Sequence, residues 1–251
     1  MRKKMTMFHV AQRMLIATLS ALAVFCMVTI MPVSAAAEPT DLEMATHIAN
    51  LLGEKFAPES VVVTVHGSRA YAEMKGAVLS KIRIDTMKLD ALITNRDQPL
   101  SDDVDALANL IGYSRGEIIL LESDVNAYFD SNDTKGFSGL KFDFSPKGFR
   151  ADGVFSFSLL VTMRIRLAAE GVLALGADGV YLDQVKIFAE NMKQPDLLTN
   201  QVLQRVNPLI EWSDIPFKVE FKAVAMDNEK AVMTGYPEAV EGETYTWAGG
   251  R

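Results

Sequence analysis

The chain has 251 residues, 49% of them hydrophobic and 23% charged, which is the composition of a folded protein with one sizeable core rather than of a disordered one. Its 25 basic and 32 acidic residues leave a formal charge of -7, which argues against nucleic-acid phosphate as the main partner. A single cysteine excludes an internal disulfide framework.

These totals average two unlike segments. Residues 1–37 carry Arg2, Lys3, Lys4 and Arg13 and no acid, followed by an uncharged run from Met14 to Ala37. The basic start, the apolar stretch and the small residues of Pro32-Val33-Ser34-Ala35-Ala36-Ala37 have the layout of a signal peptide, with cleavage expected between Ala35 and Glu38 and export to the periplasm or cell envelope. The competing reading is an uncleaved anchor, since Met14 to Met31 is close to a membrane span in length. Pro32, the alanine cluster and the absence of a basic stop-transfer flank favour cleavage. Without these residues 21 basic side chains face 32 acidic ones, a charge of -11, and no cysteine is left. Thiolate catalysis and thiolate metal sites are then closed, and of the histidines only His47 and His66 remain.

Leu42, Ala45, Ile48, Leu51, Leu52 and Phe56 recur at three and four residues and predict an amphipathic helix over 41–57, capped by Thr40 or Asp41 and stopped by Pro58. The period then changes to two, predicting strands over 60–66 and 81–85. A short helix is expected over 101–113, a strand over 117–121 and a turn of helix from Ser123. From Phe155 to Leu167 the odd positions are all apolar (Phe155, Phe157, Leu159, Val161, Met163, Ile165, Leu167), whereas only Leu160 among the even ones is. As one strand this run would be about 43 Å long, roughly twice the usual length, and a strand so long implies a strongly twisted, curled sheet. Residues 171–175 and 180–188 read as a hairpin through Asp178-Gly179, with a bulge near Asp183-Gln184 restoring the apolar face. A helix opens at Pro195 with Val202 and Leu203 on its apolar side and ends before Pro208. A hairpin over 218–225 and 230–235 follows, and residues 236–251 read as an acidic, Gly-containing tail, poorly ordered. The economical fold class is α+β, one domain of helices and antiparallel sheet over 38–235.

Motifs for catalysis fail. No G-x-S-x-G elbow, phosphate loop or H-E-x-x-H pair occurs, and the chain is not expected to be an enzyme. His66 beside Ser68 is explained by a strand-end turn, and His47 falls on the polar side of its helix as a solvated histidine. Asp130 to Gly136 fails as a calcium loop, because Lys135 and Lys141 stand at the glycine and glutamate positions. Asp102, Asp103 and Asp105 suit a helix start. No metal or cofactor is implied. Two features remain: the cations Lys81, Arg83, Arg164 and Arg166, alternating on strands as candidates for lipid headgroups, and the apolar face. That face either closes as an ordinary core or lines a groove for acyl chains, with Val202 and Leu203 contributing.

The runs Glu59-Ser60-Val61-Val62-Val63-Thr64-Val65-His66 and Met74-Lys75-Gly76-Ala77-Val78-Leu79-Ser80-Lys81-Ile82-Arg83-Ile84-Asp85 resemble the start of the LmeA-like family of bacterial envelope phospholipid-binding proteins. Val161 to Leu175 with Asp178-Gly179, then Asn207-Pro208-Leu209-Ile210 and Ile215-Pro216-Phe217-Lys218-Val219, are similar to its middle and end. The resemblance implies a tubular lipid-binding fold, a long, strongly curved antiparallel sheet wrapped around an amphipathic helix. It also implies binding or transfer of phospholipid, with transient contact to a membrane surface and no catalytic set. The acidity of the chain departs from the family's association with anionic lipid. The other reading is an envelope scaffold with a closed core that binds a protein partner.

Overall fold

The first helix, α1 (Asp41–Phe56), begins where its sequence says it should. Thr40 accepts from the Glu43 amide while the Glu43 side chain accepts from the Thr40 amide, a reciprocal capping box. The computed structural model describes residues 38–131, 136–158, 162–189 and 195–249. The expected signal peptide therefore lies outside the described residues, as do Leu159, Val161 and most of the rejected calcium loop.

After α1 come β1 (Ser60–His66), β2 (Arg69–Leu79) and β3 (Ile82–Ile93), then a 3₁₀ turn (Val104–Ala106) running into the single-turn α2 (Leu107–Leu110). Next are β4 (Ile111–Leu121), α3 (Glu122–Ser131), β5 (Phe137–Ser145), β6 (Gly148–Ser158), β7 (Thr162–Leu175), β8 (Gly179–Ala189) and α4 (Pro195–Val206). The chain finishes with β9 (Ile210–Glu211), a 3₁₀ turn (Trp212–Asp214), β10 (Val219–Glu220), β11 (Ala223–Met226), β12 (Lys230–Thr234) and β13 (Glu243–Ala248). The first sheet runs β11-β12-β4-β3-β2-β1-β13, with β10 parallel to β4, and the second runs β5-β6-β7-β8-β9. The architecture is mostly antiparallel sheet with four helices, an α+β domain in which one sheet is a strongly curled half-barrel. Residues Glu38–Arg251 form a unit of their own.

Helix α1 lies against β1, β2 and β13, burying Met44, Ile48, Leu51, Leu52 and Phe56. The inner face of the second sheet is rich in phenylalanine: Phe137, Phe142, Phe144, Phe149 and Phe155 are all buried. Helix α3 covers it with Val125 and Phe129, the latter stacked on Phe142 at 5.3 Å, and Leu198, Val202 and Val206 of α4 are buried in the same cluster.

Several expectations need correction. The alternating run from Phe155 to Leu167 is two strands. Ser158 pairs with Thr162, Phe157 with Met163 and Phe155 with Ile165, so the run is a hairpin. Paired residue numbers sum to an even value, so odd residues face odd residues and the apolar alternation has the same phase in both strands. Helix 101–113 shrinks to a 3₁₀ turn and one turn of α2, because Ile111 already belongs to β4. Residues 218–225 are not one strand, since Val219 and Glu220 pair with β4 before β11 begins. The tail is not disordered over its whole length: Glu243–Ala248 pairs with β1 from Val65 to Ser60 as a sheet edge. The bulge in β8 is present, where Glu170 pairs with Lys186 but Val172 pairs with Asp183, and Gln184 has a φ of 50°. His47 is buried at 9% exposure rather than solvated, because residues 98–106 lie over its side of α1. Burial pushes its imidazole below the ordinary 6.5, with the Asp102 charge and the Ser101 backbone opposing.

The C-terminal segment is held by a buried carboxylate. Asp90, 5% exposed on β3, accepts from Arg69 at 2.9 Å, from Arg115, and from the Glu238 amide at 3.3 Å. Burial by itself raises this carboxyl, but the Arg69, Arg115 and Glu238 hydrogen bonds outweigh it and hold it below its ordinary 3.8. A lowered folded-state value makes the contribution present above the unfolded value and lost as pH falls through the folded one. Asp90→Asn should lower stability at neutral pH by about 2 kcal/mol and flatten the acid side of the profile, measured by urea unfolding across pH.

Candidate functional site

The two sheets share no strand ladder, so the seam between them is joined by side chains. On one side Ser80, in the β2–β3 turn, donates its amide and Oγ to Asp214 at 2.7 and 2.6 Å, and its Oγ accepts from the Glu211 amide at 2.9 Å. On the other, Asn126 of α3 exchanges two hydrogen bonds with the Phe142 backbone on the free edge of β5, at 2.7 and 2.9 Å, and Glu122 accepts from the Phe144 amide at 2.7 Å. Asn207, past the end of α4, bonds both backbone groups of Leu182 in the same manner, at 2.8 and 2.9 Å.

The Ser80–Asp214 joint borders a cavity of about 430 Å³. Phe56, Val78, Tyr128, Phe129, Phe137, Val206, Pro208 and Leu209 give it apolar walls, and Lys55, Lys81, Arg205, Ser80, Glu211 and Asp214 supply the polar groups. Two cations come from the last turns of helices, Lys55 of α1 and Arg205 of α4, where they complement the negative helix ends. Arg205 also sits over the Phe155 ring at 5.1 Å, a cation–π arrangement, and Phe155 touches Phe137 at 4.9 Å between centroids. The third cation, Lys81, stands in a strained turn: Ser80 and Lys81 have φ of 51° and 69°, both left-handed, as a type I′ turn requires, yet neither is Gly or Asn. Of the two acids, Asp214 is occupied by Ser80. Chemically the site is a half-open hollow of mixed lining, apolar on one part and polar and slightly basic on the rest, which suits an amphiphile; it is within the size range of ligand pockets.

No family model, curated protein or solved structure matches the chain.

The structure distributes the sequence-predicted residues over several places. Phe155 is fully buried, Leu167 and Val202 are buried, and Ile165 and Leu203 are half-buried against the same cluster. This part of the apolar face is packed under α4 and does not form an open groove. Phe157 and Met163 are placed by backbone register alone. Of the four headgroup candidates, Lys81 reaches the cavity. Arg83 is committed to Glu59 at 3.0 Å and Asp124 at 3.1 Å. Arg164 and Arg166 are exposed on β7, away from the cavity, with Arg166 lining a separate surface groove. Sequence reading missed Lys55, Tyr128, Phe129, Phe137 and Arg205. A legible signal existed for Lys55 and Arg205, each the last cation before a helix-terminating proline, Pro58 and Pro208. Among the described residues no cluster of His, Cys, Asp and Glu is arranged to hold a metal, and no helix is long and apolar enough to cross a membrane.

Lys81→Gly should relieve the left-handed strain and raise stability by roughly 0.5 kcal/mol, whereas Ser80→Ala, which removes two of the joining bonds, should lower it by about 1 kcal/mol. Thermal and urea unfolding of both variants check the pair of opposite signs.

Proposed function

We propose that this is an exported cell-envelope protein that binds an acyl lipid non-catalytically, for transfer, sensing or envelope maintenance. The observation that carries the reading is the seam cavity, with aromatic and aliphatic walls and Lys55, Lys81 and Arg205 on its rim. Apolar surface removed from water is worth about 25 cal/mol per Å², so a hydrocarbon chain in such a hollow is held without any chemistry. Cations at the rim complement an acidic headgroup. The signal-like residues 1–37 and the resemblance to the LmeA-like phospholipid-binding family support the same reading, and the tubular wrapping of sheet around helix belongs to it as a proposal. On this reading the lipid site is the seam and not the Phe155–Leu167 face, since Phe155 is closed off by the core.

That closure is the observation favouring a second reading, an envelope scaffold whose sheets form only a core and whose acidic surface takes a protein partner. The two separate on what travels with the protein. Protein recovered from its own cell, examined by native mass spectrometry and organic extraction, is expected to retain lipid. Val78→Trp, at a half-exposed position on the cavity wall, should reduce the retained lipid about tenfold with little change in melting temperature. A lipid-free wild-type protein bound to a stable protein partner would falsify the lipid reading.

A further inference from the structure

The outer face of the second sheet can be read row by row from its register. At the hairpin end, Ser156 lies opposite Arg164; the next row is Ser138, Val154 and Arg166; the third is Lys141, Asp152, Ala168 and Phe188. The fourth row, Asp143, Arg150, Glu170 and Lys186, alternates in sign and neutralises itself. In the first three rows the cations Lys141, Arg164 and Arg166 are exposed and form no ion pair among the described residues. Their one acid, Asp152, is taken by Arg150 of the fourth row at 3.1 Å. Beside them stands Phe188, 53% exposed and the only exposed phenylalanine among residues whose side chains are described. Between them runs an open groove lined by Lys141, Val154, Arg166, Ala168 and Phe188.

We infer that this face docks the protein on an anionic lipid bilayer, with Lys141, Arg164 and Arg166 against the headgroups and Phe188 inserted at the interface. The chain as a whole is acidic, at -7, so a patch of three cations with one already paired acid is a local reversal of sign. Charge complementarity therefore selects an acidic surface for this face and disfavours one elsewhere. An exposed aromatic ring next to the cations adds what a merely solvated basic face lacks, an apolar group that gains by leaving water. The surface is separate from the seam cavity and shares no lining residue with it.

The test is co-sedimentation of the full chain, in whatever processed form a bacterium accumulates, with vesicles of phosphatidylcholine alone and of phosphatidylcholine mixed with phosphatidylglycerol. Wild type is expected to bind the mixed vesicles, to bind the neutral ones much less, and to be released by salt. Each of Arg164→Gln and Arg166→Gln should weaken binding about fivefold and the double variant roughly thirtyfold. Phe188→Ser should weaken it about tenfold. These side chains point outward, so melting temperatures should not move; if a variant does unfold, Lys141→Gln replaces it, with the same fivefold expectation. Equal binding by the double variant, equal binding to neutral vesicles, no vesicle binding at all, or binding to single-stranded RNA in place of vesicles each overturns the inference. Its failure is distinct from failure of the cavity reading: the arginine double variant should keep its extractable lipid, and Val78→Trp should keep its vesicle binding.

Discussion

Two sheets that meet without sharing a ladder must satisfy their facing backbone groups in some other way, and this constraint organises the molecule. A β-sheet edge left bare is either an aggregation site or a set of unsatisfied donors. Here the free edge of β5 is capped by Asn126 and Glu122 of the helix that follows β4, so one short helix both ends a strand of the first sheet and seals an edge of the second. On the opposite side Ser80 and Asp214 join the β2–β3 turn to the segment after β9. Side-chain joints are longer than a strand pair, and the space they leave between sheets is the cavity.

The same constraint explains where strain is tolerated. Ser80 and Lys81 adopt left-handed backbone angles that Gly or Asn would take at lower cost, and the two hydrogen bonds to Asp214 hold the turn in place. At Gly76 the requirement is steric as well: φ is 65°, and a Cβ there would meet the Glu59 side chain at 2.7 Å. Opposite Gly76 both β2 and β3 exchange their buried faces. Ala70, Ala72 and Met74 are buried before it and Ala77 and Leu79 after it, a switch from even to odd positions.

That switch shows why part of the fold was legible in the sequence and part was not. Regular alternation exposed β1, β8 and its bulge, and helical spacing with capping residues and prolines exposed α1 and α4, because each of these signals is local. β2 and the second half of β3 were hidden because their alternation changes phase at Gly76 and Asp85, and the Ser80-Lys81 turn carries neither the Gly nor the Asn that marks a type I′ turn. The β6–β7 hairpin was mistaken for one strand for the opposite reason, since its register keeps the phase across the turn. β13 was missed because its alternation is short, only Tyr245 and Trp247 against Thr244 and Thr246 in an otherwise acidic, Gly-containing segment; its partner is 180 residues away along the chain. The candidate site failed to appear in the sequence for this last reason as well. Its walls come from α1, the β2–β3 turn, α3, β5 and the end of α4, and only the folded topology brings those together.

The period of two also divides labour within β6 and β7. Phe155 and Leu167 face inward and close the core, while Val154, Arg164, Arg166 and Ala168 of the same strands face outward. The sequence stretch that first suggested a single lipid-lining surface therefore supplies two surfaces with different physics, one dry and aromatic, the other wet and basic. Because the two faces do not share side chains, changes of charge on the outer one leave the packing of the inner one intact. The proposed attraction to an acidic membrane and the proposed retention of a lipid between the sheets are for that reason separable, even though the hairpin that carries the basic face also supplies Phe155, the buried ring over which Arg205 of the cavity rim sits.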